Sequence, residues 1–167
     1  MIRDCGPSDV DDIYVVINDG AQAYRGIIAP DCWHEPYMSR DELDAERAAG
    51  VAFAGYYDGE LLAGVMGLQD VQDVALIRHA YTRSSMQRRG IGAKLLSHMR
   101  SRTPRPILLG TWTAASWAIR FYEGQGFRLV ARDQTAELLR RYWKIPERQL
   151  DESVVMGDAR WFAGSRG

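Results

Sequence analysis

The stretch Gln87-Arg88-Arg89-Gly90-Ile91-Gly92-Ala93-Lys94-Leu95-Leu96 decides how the rest of the chain is read. It follows Val74 to Thr82 (VALIRHAYT), an apolar run with the character of a long strand. It opens a segment, Gly90 to Arg102, whose Ile91, Leu95, Leu96 and Met99 fall on one helical face. Two glycines two apart let the backbone approach a ligand closely. The first turn of a helix has N–H groups without intrahelical acceptors, and the helix dipole adds partial positive charge there. A glycine turn entering a helix is therefore an anion site, typically for phosphate. Arg88, Arg89 and Lys94 add charge beside it. Taken alone, Gly-x-Gly describes a solvated basic turn equally well.

The spacing excludes two nucleotide-binding patterns. A dinucleotide fingerprint has a third glycine where this chain has Leu95. A phosphate-binding loop of the Gly-Lys-Ser/Thr kind occurs nowhere in the sequence.

Upstream, Ser8-Asp9-Val10-Asp11 reads as a capped start for a helix running through Ile13, Val16 and Ile17 towards Ala23. Tyr24 to Met38 is irregular and aromatic, broken by Pro30 and Pro36. Ser39 and Glu42 form a capping box for a second helix ending at Gly50. Val51 to Tyr57 and Leu61 to Leu68 read as a hairpin turning at Asp58-Gly59. Downstream, Ile107 to Gly110 is a buried strand, Ser116 to Glu123 a helix, and Phe127 to Val130 a strand. Thr135 to Trp143 is a polar helix, and Ser153 to Met156 a last strand. This order predicts one α/β (α+β) domain over residues 1–160 with a mixed sheet, and a C-terminal tail over 161–167.

The bulk numbers fit a single domain. The chain has 167 residues, 46% hydrophobic and 26% charged, with a formal net charge of −1. That balance points to neither nucleic acid nor a membrane surface. Two cysteines, Cys5 and Cys32, make no disulfide framework. With no signal-peptide core and no apolar run of membrane length, the expected location is cytoplasmic. Cys5, Cys32, His34, His79 and His98 lack ligand spacing, so no metal is expected.

Gln87-Arg88-Arg89-Gly90-Ile91-Gly92 resembles the Q/R-x-x-G-x-G/A signature of the GCN5-related N-acetyltransferases. Ala118-Ile119-Arg120-Phe121-Tyr122-Glu123-Gly124-Gln125-Gly126-Phe127 resembles that family's A-x-x-F-Y-x-x-x-G-F segment. The two motifs occur in the family's order and spacing, and the resemblance spans roughly residues 1 to 156. It implies a mostly antiparallel central sheet flanked by helices, with the fourth and fifth strands splayed around acetyl-CoA. Carried over, the pyrophosphate of coenzyme A falls to Arg88, Arg89, Gly90, Ile91, Gly92 and Ala93, with Gln87 and Lys94 also expected to bind the cofactor. The pantetheine arm runs along Ala80, Tyr81 and Thr82, and a backbone N–H near Thr82 polarises the thioester carbonyl. Tyr122 matches the tyrosine that protonates the departing thiolate.

The resemblance implies acetyl transfer to a primary amine, small molecule or peptide, by direct attack in a ternary complex. A non-catalytic acyl-CoA-binding module on the same fold is the alternative. Either would act as a monomer or homodimer. Ala115 stands where the family often has Asn, with Ser116 as a substitute near the pantetheine. The positions that carry a base on the fourth strand in some members are Leu76 and Arg78 here, and neither is a base. Strand alternation sends His79 to the face opposite Arg78. Trp33, His34, Glu35 and Tyr37, in the irregular segment, and Arg78 are the acceptor-binding candidates.

Overall fold

The computed structural model describes residues 1–164. Its centre is three long antiparallel strands, β2 (Ala52–Asp58), β3 (Leu61–Val71) and β4 (Val74–Thr82). Gly59 makes the β2–β3 turn at φ +62°, a conformation that side chains disfavour. A three-residue β1 (Ile2–Asp4), too short for alternation to show in the sequence, joins the edge and pairs Ile2 with Tyr56. Beyond β4 lie β5 (Ile107–Trp112), β7 (Ser153–Gly157) and a two-residue β6 (Arg128–Leu129). The sheet order is β1-β2-β3-β4-β5-β7-β6. Every neighbouring pair is antiparallel except β4–β5, which is the expected mixed and mostly antiparallel sheet.

Alternation along β4 divides the core. Ala75 and Ile77 face α3 (Ile91–Ser101) and α4 (Ser116–Gly124), packing with Leu95, Met99 and Phe127. Val74 and Leu76 face the other way, onto Leu138, Leu139 and Trp143 at α5 (Arg132–Tyr142). On that same side α1 (Val10–Gly20) and α2 (Arg40–Ala48) cover Phe53, Leu62 and Val65. Gly64 lets α3 lie close on β3, because a Cβ there would stand 2.7 Å from Ile91 Cγ2.

Several boundaries differ from the sequence reading. The Ser39 cap is as expected, its hydroxyl accepting the Glu42 N–H at 3.1 Å. Ser8 caps nothing; a 3-10 turn (Pro7–Asp9) precedes α1, and a second (Ala21–Tyr24) replaces its expected last turn. α5 begins three residues before Thr135. A short α6 (Glu147–Leu150) appears where no periodicity signalled it. α7 (Ala159–Gly164) occupies most of the expected tail, since Trp161 and Phe162 pack on the α5 core. The remainder of that tail, 165–167, lies outside the described residues.

Asp9 is used differently from a helix cap. Its carboxylate takes two guanidinium bonds from Arg3, both 3.0 Å, the Gly6 N–H at 2.8 Å and the Tyr57 hydroxyl at 3.0 Å. Arg3 above all holds this carboxyl well below the usual carboxylate range. The folded state thus binds fewer protons than the unfolded one, so the contribution is full above about pH 4 and is lost as the pH falls. Asp9→Ala is expected to cost about 2 kcal/mol at pH 7, through the partners left unpaired. Thermal unfolding should show a smaller gap from wild type at pH 3.

Candidate functional site

The site begins with a fault in the β3–β4 ladder. Val65 pairs with Tyr81 and Gly67 with Arg78, so Met66 alone stands opposite His79 and Ala80. Two residues against one is a bulge, and His79 absorbs it at φ +54°. On the other edge of β4, pairing with β5 stops at Ile77–Leu109. The two strands then diverge.

A cleft of about 440 Å³ fills the space on the α3–α4 side. Ala80, Tyr81 and Thr82 form one wall, Gln87 to Ala93 apart from Arg89 the floor, and Trp117, Ala118, Phe121 and Tyr122 the other wall. Left-handed Arg88 (φ +65°) and Gly90 (φ +76°) swing the chain into α3. Glycine adopts this conformation freely, but at Arg88 it costs about 1 kcal/mol or more, and such strain gathers at functional sites. The Lys94 N–H is the first to be taken, by the Gly90 carbonyl at 3.1 Å. Among the described residues, no protein acceptor takes the N–H groups of Arg89 to Ala93. They form a ready anion cradle.

Across the sheet, a cavity of about 130 Å³ is walled by Tyr24, Tyr37, Tyr81, Trp112, Trp143, Arg78 and His79, among others. A gap of about 80 Å³ between the splayed strands shares Tyr24, Ala80, Tyr81, Ala118 and Tyr122 with the cleft. It shares His79, Gly110 and Thr111 with the cavity. The three spaces thus adjoin one another across the sheet, with the gap in the middle.

Residues 17–127 match the family model described as "Acetyltransferase (GNAT) family". This chain belongs to the GNAT acetyltransferase family. The chain is thus an N-acetyltransferase by membership. The fold agrees with solved members. The PaiA N-acetyltransferase of Thermoplasma acidophilum, in complex with coenzyme A, superposes with TM-score 0.68 at 18% identity, covering 95% of this chain and 97% of that one. A GNAT acetyltransferase of Staphylococcus aureus gives 0.70 at 18%, covering 95% and 97%. The ribosomal-protein-S18-alanine N-acetyltransferase of Escherichia coli gives 0.65 at 17%, covering 95% and 92%. No curated protein sequence matches the chain.

Within this GNAT domain, the expected cleft residues Ala80, Tyr81, Thr82, Gln87, Arg88, Gly90, Ile91, Gly92 and Ala93 line the cleft together. Arg89 and Lys94 are exposed and do not line the cleft; Lys94 lies instead over the Tyr56 ring of β2 at 5.6 Å. Ser116 is exposed at the start of α4 and does not line the cleft, and Ala115 is fully buried in a separate cluster. Gly92 faces Phe121 rather than the open cleft: an added Cβ would lie 3.2 Å from that ring.

Tyr122 is buried, edge-on to Phe121 (5.0 Å) and Phe127 (5.8 Å). Burial raises its phenol above the usual range. The hydroxyl makes no hydrogen bond in the protein and is not among the buried unpaired atoms, so it opens on cleft and gap.

The bulge overturns the expected placing of His79. It and Arg78 reach the same carboxylate: His79 Nε2 lies 3.0 Å and an Arg78 guanidinium nitrogen 3.1 Å from Glu46 Oε2. Burial lowers the His79 pKa, with Glu46 partly opposing. His79 bonds to Glu46 first and then Arg78 lower the Glu46 pKa. The His79 Nδ1 has no protein partner and is not fully buried, and His79 lines both the far cavity and the gap.

The acceptor candidates divide. Arg78 lines the far cavity. Trp33 packs at 5.8 Å on Tyr37, behind the wall. His34 and Glu35 are exposed and line none of the three cavities, Glu35 accepting from Gln22 at 3.2 Å. Tyr37, also expected, does line the far cavity, together with the unexpected Tyr24; their rings are tilted by 46° with centroids 5.4 Å apart, and the Trp112 indole donates to the Tyr37 hydroxyl at 2.8 Å. Their aromatic character was the available signal; their irregular segment has no period to say which residues point inward.

Proposed function

We propose that this GNAT enzyme moves an acetyl group from acetyl-CoA to a primary amine by direct attack in a ternary complex. The gap that adjoins both the cleft and the far cavity carries this reading. It supports a donor held at the Gln87–Ala93 turn on one side and an acceptor entering from the other, meeting at the gap. The PaiA relative, solved with coenzyme A, supports the same donor.

The amine nitrogen attacks the thioester carbon, the carbon–sulfur bond breaks, and the electron pair passes to sulfur. His79, neutral because burial lowers its pKa, takes the proton from nitrogen at Nδ1, directly or through water. Glu46 holds the ring at Nε2. Tyr122 donates its hydroxyl hydrogen to the departing sulfur, so coenzyme A leaves as the thiol. Backbone N–H groups at the bulged end of β4 stabilise the developing oxyanion. The deciding experiment mixes acetyl-CoA with a panel of amines and follows free thiol together with product mass. Thiol release that needs an amine, with an acetamide product, is expected. Tight coenzyme A binding without amine-dependent release would make the chain a binding module.

His79 has its own test. A free alkylamine with pKa about 10 is only about one part in a thousand neutral at pH 7. His79→Gln should lower kcat about tenfold to a hundredfold there, and much less at pH 9, where the amine loses its own proton. In the wild type, the acid limb of kcat should fall below about pH 6.5, since burial depresses the imidazole. Glu46→Gln removes a group that raises His79, and should move that limb further to acid. A loss equal at every pH would leave His79 a structural partner of Glu46.

A further inference from the structure

The far cavity describes the acceptor, on the reading that acetyl transfer occurs at this gap. Five aromatic side chains, Tyr24, Tyr37, Tyr81, Trp112 and Trp143, line it together with the polar but uncharged Thr111, Gln149 and Ser153. Tyr24, Tyr37 and Tyr81 form a mutual cluster with ring centroids 5.4 to 6.3 Å apart. Rings at such distances favour a further ring in offset or edge-on contact. No Asp or Glu lines the cavity.

The charged groups near it are already committed. Glu46 is held by His79 at 3.0 Å and by Arg78 at 3.1 Å. Arg78 also donates to Gln69 Oε1 at 3.0 Å. Arg78 and Glu46 cancel as a pair, which leaves the wall without a free charge. A second ammonium on the acceptor would be desolvated there with no carboxylate to meet it. A carboxylate would meet a guanidinium already engaged. Size sets a further limit. The cavity measures about 130 Å³, and in volume alone a space of about 150 Å³ is enough for benzene.

We propose that the acceptor is a primary monoamine with one uncharged substituent, an aromatic ring about the size of benzene. The substituent occupies the far cavity, and the nitrogen points past His79 into the gap. Polyamines and free amino acids are selected against by the same walls.

The test measures thiol release with three probe amines: 2-phenylethylamine, spermidine and glycine. The kcat/KM for 2-phenylethylamine should exceed the other two by about tenfold or more. A second variant reads the seat itself. A Cβ at Gly110, on the β5 wall, would lie 3.6 Å from Trp143 and 3.7 Å from Leu139, ordinary contact that the fold accepts. Gly110→Ala narrows the cavity and should raise the KM for 2-phenylethylamine about fivefold or more, leaving the KM for acetyl-CoA in place. Preference for spermidine or glycine would overturn the acceptor class while leaving acetyl transfer intact. An unchanged amine KM in Gly110→Ala would overturn the seat. Turnover of none of the three would overturn the class, and calorimetric titration with acetyl-CoA then tests separately whether the donor half of the reading stands.

Discussion

Gly92→Glu is expected to lower coenzyme A affinity by about a hundredfold or more, with the fold intact. A Cβ at this position already stands 3.2 Å from the Phe121 ring, which lines the cleft. A longer side chain must displace that ring or turn into the cleft. Either course puts a carboxylate beside the N–H groups of Arg89 to Ala93, where it competes for them and repels the pyrophosphate. The position lies in the exposed first turn of α3, one residue after Ile91 begins the packed face, so the helix keeps its core contacts. Calorimetry should find the loss, and circular dichroism an unchanged melting profile within a few degrees. Unaltered affinity would remove the phosphate role from the glycine turn. Gly92→Ala separates bulk from charge: it presses on Phe121 alone and should weaken binding far less.

Tyr122→Phe is expected to reduce kcat by about tenfold to a thousandfold, with coenzyme A affinity and stability almost unchanged. The substitution removes one hydroxyl that has no protein partner and keeps the ring contacts with Phe121 and Phe127. The effect belongs at the lower end of general acid catalysis. Burial raises the phenol, while a thiolate with pKa about 8.5 is only moderately basic. Full transfer of the proton is thus uphill until the charge on sulfur has developed in the same buried gap. The loss should shrink with an acetyl donor whose thiol is more acidic. Full kcat in Tyr122→Phe, where chemistry limits turnover, would assign protonation of sulfur to water.

The two features that position the site differ in how far the sequence shows them. β4 occupies the residues that VALIRHAYT marks, because a run of nine with four buried apolar residues at its start has no competing helical period. The glycine turn is equally legible, since Gly90 takes the positive φ for which glycine is suited. The bulge is not. His79 and Arg88 adopt left-handed backbone without being glycine, so nothing in their identity announces it. Strand alternation consequently puts Arg78 and His79 on opposite faces, whereas the extra residue brings both to Glu46. Glu46 itself lies on α2, 33 residues from His79, and only the folded chain reveals the pair. The acceptor wall is legible only in part. The aromatic segment points to Tyr37, but Tyr24 belongs to a 3-10 turn, and His34 and Glu35 turn outward; in such chain side-chain direction follows from tertiary packing alone.

The central claim is that donor and acceptor meet at one gap and react directly. Initial rates of thiol release, with acetyl-CoA and an accepted amine both varied, test it most directly. Double-reciprocal lines that intersect, together with no thiol release when amine is omitted, are the predicted result. Parallel lines with a burst of free thiol from acetyl-CoA alone would mean a covalent acetyl-enzyme and would contradict the account.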